Sequence, residues 1–299
     1  MHELFVWVDA TFGPEPDYKQ VFLTAMTPIF LLAVGIEWLV QSRIRHRTQD
    51  YFWKDTLANI SLGIGYQIAE AVTWLLFTGG IMAFVYRYRL FDIPVNGWTV
   101  LPIFLLVEFC YYWFHRTSHR VRWFWTAHVA HHAGEHMNMT MASRQSIINA
   151  FIGIWIFYTP PVLLGVPPTV VFFMLAVNLA YQFFIHTNAI PKLPRWIEYV
   201  FDTPSNHRVH HGKQPKYIDK NYGGVLILFD RWFGTYIEET EAPIYGIPKP
   251  PNSYNFFVLN FHELIAMWRD VCKPGPWRWR LKHLWGPPEW ERPAASNSN

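Results

Sequence analysis

Five apolar stretches, at about residues 20–41, 57–85, 98–114, 147–165 and 169–186, constrain this chain more than any other feature. Each is near or above the ~17–25 residues that a bilayer crossing needs. A lone strand cannot cross lipid with its backbone groups unpaired, so all five are expected to be helices. The fold class implied is all-α: a polytopic integral membrane helical bundle of about five spans, or four. The second stretch is longer than a crossing requires, so a tilt or a break is expected in it. Pro160, Pro161, Pro167 and Pro168 bracket a tight turn between the last two stretches and predict a hairpin there. Composition agrees: 51% of residues are hydrophobic and only 16% charged, against about 25% charged in globular domains.

Orientation follows from the basic residues. RIRHR at 43–47 and Lys54 come after the first stretch, whereas the leading segment is acidic, so the N-terminus is expected outside and this loop inside. Counting five crossings then puts residues 115–146, and everything after 186, on the cytosolic face; Arg87 and Arg89, which fall outside, count against this. The first twenty residues lack a basic n-region, so no cleavable signal peptide is expected. The net charge of +3 is small and its basic residues flank apolar segments, which points to a lipid bilayer as partner and not to nucleic acid. Cys110 and Cys272 form neither a disulfide framework nor a C-x-x-C metal site. Beyond about 187 the chain turns charged and is expected to form a mainly helical cytosolic cap. Segment 254–270 has helical apolar spacing, suited to the membrane interface or to ordinary packing. The tail after Pro293 is expected to be disordered. The whole reads as one domain, 1–299, with N-terminal spans at 1–96, a histidine-bearing core at 97–240 and a C-terminal segment at 241–299. The expected location is a bacterial inner membrane.

Residues 128–132 read HVAHH, and the same H-x-x-H-H spacing returns at 207–211 as HRVHH. At this chain's histidine frequency roughly 0.03 copies would arise by chance. HRTSH precedes the first copy, with His115 and His119 four residues apart on one helix face. His128, His131 and His132 share a face, as do His207, His210 and His211. His186 at the end of the fifth stretch makes nine. Nine imidazoles exceed what one ion holds, so two metals fit the count. Imidazole suits iron, copper, zinc and nickel alike. No Glu-x-x-His helix motif is present, which argues against the carboxylate-bridged di-iron bundles. One H-x-x-x-H alone is most often interfacial polarity, but clustered neutral imidazoles cost desolvation without a partner, and the repetition favours ligation. His2, His46, His262 and His283 read as surface or interface residues. Glu108, Glu135, His136, Asn138, Asn206, Asp219, Asn221 and Asp230 are candidates to support the ligands, because a ligating imidazole usually hands its other N–H to a carboxylate or carbonyl. Helix caps or satisfied buried polar groups are the alternative. Glu37 and Glu70 are either interhelical glue or pathway residues.

HRTSH, HVAHH, His186 and HRVHH, with YYWFHR before the first box and DKNYGGVLILFDRWFGTY after the last, resemble the fatty acid hydroxylase and sterol desaturase superfamily of membrane di-iron enzymes. MASRQS, YQFFIHTN and YIDKNYGG are similar to its alkylglycerol monooxygenase branch, although Arg120 follows His119 where that branch carries an acidic residue. The resemblance covers roughly residues 100–240. It implies two iron ions held by the nine histidines as the catalytic centre, with zinc able to take their place in recombinant protein. It also implies dioxygen as co-substrate and a membrane lipid as substrate; a tetrahydrobiopterin reductant is implied by the branch alone. Oxygen insertion into an unactivated C–H bond calls for such a metal site, exclusion of water and an apolar slot. No G-x-G-x-x-G, HPGG or iron–sulfur cysteine pattern is present, so electrons are expected from an external donor, a protein or a small reductant. Three functions compete: a lipid hydroxylase or monooxygenase, a sterol or fatty-acyl desaturase using the same site, and a non-enzymatic metal transporter or sensor. A transporter would hold its ligands near the bilayer midplane; here they gather at and after span ends, which favours an enzyme.

Overall fold

In the computed structural model, which describes residues 18–46 and 50–293, the apolar stretches fold mostly as expected. Helix α1 (Tyr18–Leu39) runs into a π-helical turn at Val40–Ile44. Helix α2 (Trp53–Thr73) continues through a π-helical turn (Trp74–Thr78) into α3 (Gly79–Arg87), so the long second stretch stays one continuous helix with a π insertion and no break. The third stretch is α4 (Val100–Arg120), started by Asn96, whose Oδ1 accepts from the amide of Trp98 at 2.9 Å. Val121, extended at φ −123° and ψ 115°, ends α4 and turns the chain into α5 (Arg122–His132).

The fourth stretch is a correction. Expected as one spanning helix over 147–165, it is instead two 3₁₀ turns (Ile147–Ala150, Ile154–Tyr158) and a short helix α6 (Thr159–Leu164), continuing a run of 3₁₀ structure that starts at Met139–Ser143. Ser146 closes its side chain on the amide of Ile148, Gly153 is left-handed and Pro160–Pro161 deny donors, so no long i→i−4 ladder forms. The run follows α2 and α3 along their length: Asn59 bonds Thr140, Gly63 lies against Ser143, Gly65 against Ile147, and the amide of Leu90 donates to Leu163. Irregular backbone beside membrane helices is tolerated where protein covers it. The proline-framed hairpin is present, with Gly165 (φ 118°) at its turn; a Cβ there would lie 2.0 Å from the Phe91 carbonyl oxygen, so only glycine fits.

Helix α7 (Pro168–Ile185) lies parallel to α1, with Phe22 on Phe173 and Phe30 stacked on Phe183. Three described helical segments, Val21–Ile44, Trp53–Arg87 and Pro168–Ile185, are long and apolar enough to cross a membrane. Their outer faces are apolar, Leu75 being 80% and Leu31 68% exposed, which in water would be an aggregation surface and in lipid is the required one.

The segment after 187 is less helical than expected up to about residue 255, where three short helices, α8 (Arg195–Val200), α9 (Pro204–His210) and α10 (Leu228–Phe233), are joined by loops. Asp219 and Asn221 take left-handed conformations, which these residue types tolerate, and Gly223–Gly224 follow. Two isolated bridges, Phe201 with Leu226 and Gly212 with Tyr245, are all the extended pairing among the described residues. Helix α11 (Phe256–Cys272) matches the expected 254–270 segment, and α12 (Trp277–Trp285) closes the chain against α5 and α11. The tail expected to be disordered, and the N-terminal segment, lie outside the described residues apart from Pro293 and Tyr18–Gln20.

Candidate metal centre

Each histidine reaches the centre by a local rule of helix geometry. Helix α4 buries Glu108, Tyr111, Tyr112, His115 and His119 along one face. Helix α5 buries His128, His131 and His132, His186 ends α7, and α9, capped at its N-terminus by Thr203, carries His207 and His210 with His211 following. All nine side chains are buried. They fall into two groups: His115, His119, His128, His132 and His210 in the first, and His131, His186, His207 and His211 in the second, with the nitrogens of each within 4.8 Å of one another. Every H-x-x-H-H box therefore splits. Its i,i+4 pair stays with one group, and its middle histidine, His131 or His210, crosses to the other. His132 stacks on His211 at 4.5 Å between ring centroids, so the groups adjoin.

The hydrogen bonds fix what these nitrogens offer. Nδ1–H of His115 donates to the Tyr222 carbonyl at 2.8 Å, that of His131 to Arg144 at 3.2 Å, that of His186 to Gln182 at 2.6 Å and that of His210 to Lys220 at 3.0 Å. His207 Nδ1 faces a carboxylate oxygen of Asp202 at 3.1 Å. A neutral imidazole that donates from Nδ1 has only a lone pair on Nε2. Yet the Nε2 atoms of His131 and His186 lie 3.3 Å apart, and those of His186 and His207 2.9 Å. Two acceptors so close repel unless a cation lies between them. Buried Nε2 atoms of His119 and His210 have no hydrogen-bond partner among the described residues. Metal–imidazole bonds of about 2.0–2.1 Å bring ligand nitrogens to such separations, so the residues fit metal ions. Burial, reinforced by neighbouring imidazoles, pushes His128, His132, His207 and His211 well below the ordinary histidine range, which keeps them in the neutral, ligating form.

The candidate supporting residues divide. Asp219 faces His119 Nδ1 at 3.6 Å and pairs with Arg120; burial raises its pKa, but these two partners hold it below the ordinary carboxylate value. Glu108 accepts from Asn178 and from the amides of Val225 and Leu226, and Asp230 from the amides of Tyr222 and Gly223, so both shape the loop whose Tyr222 carbonyl orients His115. Asn206 and Asn221 tie α9 to its surroundings through the carbonyls of Phe201, Ile237 and Asn206 itself. Asn138 starts the 3₁₀ run after the first box and donates to the Asp50 carbonyl. Glu135 is exposed, and His136 packs on the Phe52 ring; neither belongs to a metal group. Glu37 accepts from Tyr51, Thr187 and the amide of Met139, and Glu70 pairs with Lys19, so both join separate segments. His283, expected at the surface, is buried between Arg122 and Arg292; His2 lies outside the described residues.

Sequence reasoning missed Asp202 and Arg144. Asp202 stands five residues before His207 in DTPSNH, where it reads as part of a helix start. Arg144 is buried, donates to the Ala130 carbonyl and to Asp55 and Asn59, and supplies the carbonyl that orients His131. A slot of about 220 Å³ lies beside the centre, with His128, His131 and His186 in its wall and Leu175, Leu179 and Phe183 along it.

The model of the fatty acid hydroxylase family matches residues 100–235, the segment that bears all nine histidines. Among individual proteins, the chain is 37% identical to human alkylglycerol monooxygenase over 257 residues, covering 85% of this chain and 55% of that protein. It is 34% identical to the Xenopus tropicalis alkylglycerol monooxygenase over 280 residues, covering 92% and 60%. An ornithine lipid hydroxylase of Rhizobium tropici is 29% identical over 132 residues, 44% of this chain and 40% of that one. The chain thus spans between about half and two thirds of the length of these alkylglycerol monooxygenases. No solved structure matches.

Proposed function

We propose that this chain is a membrane-bound, dioxygen-dependent di-iron oxidoreductase that hydroxylates a lipid, with His115, His119, His128, His132 and His210 holding one iron and His131, His186, His207 and His211 the other. The observation that carries this is the pair of imidazole groups whose bare nitrogens converge beside an apolar slot. When bound, the irons supply dioxygen activation and one-electron steps that no side chain can. The protein orients the imidazoles through backbone carbonyls and Asp202, keeps water out by burying all nine rings, and aligns an apolar chain along α7. Support from relatives is direct in kind: three bear the names of lipid hydroxylating enzymes. The centre faces the cytosol, by the RIRHR loop after α1, and an external protein or small reductant delivers electrons.

The test is metal analysis of protein purified from iron-supplemented cells, joined to oxygen-18 incorporation into membrane lipid. Two irons per chain and labelled product are expected. One ion at full loading would overturn the two-iron assignment, and a new double bond without label would move the reaction to desaturation.

A further inference from the structure

The polar groups of the slot fall into two kinds. Near the histidines they satisfy one another: Tyr111 donates to Gln182 at 2.9 Å, and Asn149 donates to Gln145 at 3.3 Å. Further along the slot they do not. Tyr158 is 1% exposed and lines the slot, yet its hydroxyl has no partner among the described residues. Gln67 Oε1, also buried and also in the lining, has none. Lys19, paired with Glu70, also lines the slot and reaches a smaller pocket that Tyr158 shares.

Helix geometry gives the distance between the two ends. Leu175, Leu179, Gln182 and His186 line the slot from successive turns of α7, and from Leu175 to His186 the axis advances about 16 Å at 1.5 Å per residue. Tyr158 packs on Phe172, beyond Leu175, and also at 6.4 Å between ring centroids on Phe114, the residue before His115, so it lies along the slot between the two ends. On α2 the order agrees: Asn59 bonds Arg144 beside the first box, while Gln67 lies two turns further on.

A buried hydroxyl and a buried carbonyl oxygen left unpaired are costly in an apolar setting. The ligand group that meets both is another hydroxyl, which accepts from Tyr158 and donates to Gln67 at once. An ether or ester oxygen meets only the first. A bare hydrocarbon meets neither.

We propose that the slot carries a hydroxyl-binding subsite, in which Tyr158 donates to and Gln67 accepts from a hydroxyl of the lipid whose carbon is oxidised at the centre. This rests on the lipid-hydroxylase reading for its second half only. The subsite makes Tyr158 and Gln67 specificity residues: they fix which carbon reaches the centre by holding the substrate at a set distance.

The test is binding, which needs neither dioxygen nor turnover. Dissociation constants of tetradecan-1-ol, 1-methoxytetradecane and tetradecane are measured on the detergent-solubilised full-length protein. Wild type should prefer the alcohol over the alkane by about tenfold, with the ether between them. Tyr158→Phe should erase the preference for ether over alkane, and Gln67→Leu that for alcohol over ether. Tyr158→Phe keeps the ring, and its thermal midpoint without ligand should not fall, since no protein bond is lost. A wild type that binds alcohol and alkane alike, an alcohol preference unchanged in Tyr158→Phe, or a fall in its ligand-free midpoint would each overturn the subsite. A protein that shows the Tyr158-dependent preference but never incorporates oxygen-18 would leave the subsite standing and sink the reaction. One that incorporates label without the preference would do the reverse.

Discussion

The two histidine groups are built from the same words but differently completed. The first draws five imidazoles from three helices, two of its pairs standing at i,i+4 on α4 and α5. The second draws four from separate segments: α5, the end of α7, and the helix and following residue of the second box. On a six-coordinate ion five ligands leave one position and four leave two. The second group also places two of its four rings, His131 and His186, in the slot wall, against one of five, His128, from the first. In the proposed di-iron reading the more open group is therefore the one placed to meet substrate, and the fuller group the more anchored. Because each box lends its middle histidine to the other group, a change at one ion would be felt at the other.

The largest expected effect comes from His131→Ala, which takes a ligand from the sparser group and a side chain from the slot at once. Oxygen-18 incorporation should drop by more than the ~10–100-fold typical of losing an outer partner of a metal ligand, and metal content should approach one per chain. Near-normal incorporation with two ions would break the assignment of groups. His210→Ala removes the crossing residue of the fuller group, which keeps four imidazoles. A loss smaller than that of His131→Ala is expected, with both ions still detectable. Were His210→Ala the more damaging, the contrast between anchored and open groups would be reversed.

Carboxylate support sharpens the same contrast. Asp202 is fully buried and faces His207 of the second group at 3.1 Å. Asp219 faces His119 of the first at 3.6 Å and shares itself with Arg120. Asp202→Asn should weaken metal retention by about 10–100-fold in chelator competition. Asp219→Asn should do less, because four other imidazoles remain in its group and its carboxylate is divided. Equal effects would mean that the two carboxylates do the same work.

What could be read ahead of the structure follows from how local each signal is. The boxes were legible because i,i+3 and i,i+4 spacing carries side-chain direction with it. Which histidine belongs to which group was not, since that depends on how α9 docks against α5. Carbonyl partners such as Tyr222, Lys220 and Gln182 leave no mark in a side-chain pattern, and Asp202 was hidden in a sequence that reads as an ordinary helix start. Apolar content located the 147–165 stretch but not its conformation: Gly153, Pro160 and Pro161 broke a ladder that hydropathy alone would have continued. Glu108 and Asp230, candidates for supporting the ligands, bond the backbone amides of the Tyr222–Leu226 loop and not an imidazole, a partner that no side-chain pattern reveals.

The smallest effect tests whether nearness in sequence was mistaken for nearness in space. His136 stands four residues after His132, and on a continuing helix it would share that face. The helix ends first: α5 stops at His132, with Ala133 as its C-cap. The chain then turns away, leaving His136 half-buried against the Phe52 ring at 5.6 Å between centroids and in neither metal group. His136→Ala should therefore keep two ions per chain and near-wild-type incorporation, and cost about 0.5 kcal/mol of stability, as surface changes do. His262→Ala, on α11 and outside both groups, sets the baseline. If His136→Ala instead lowers metal content, the first group extends past α5, and five imidazoles no longer describe it.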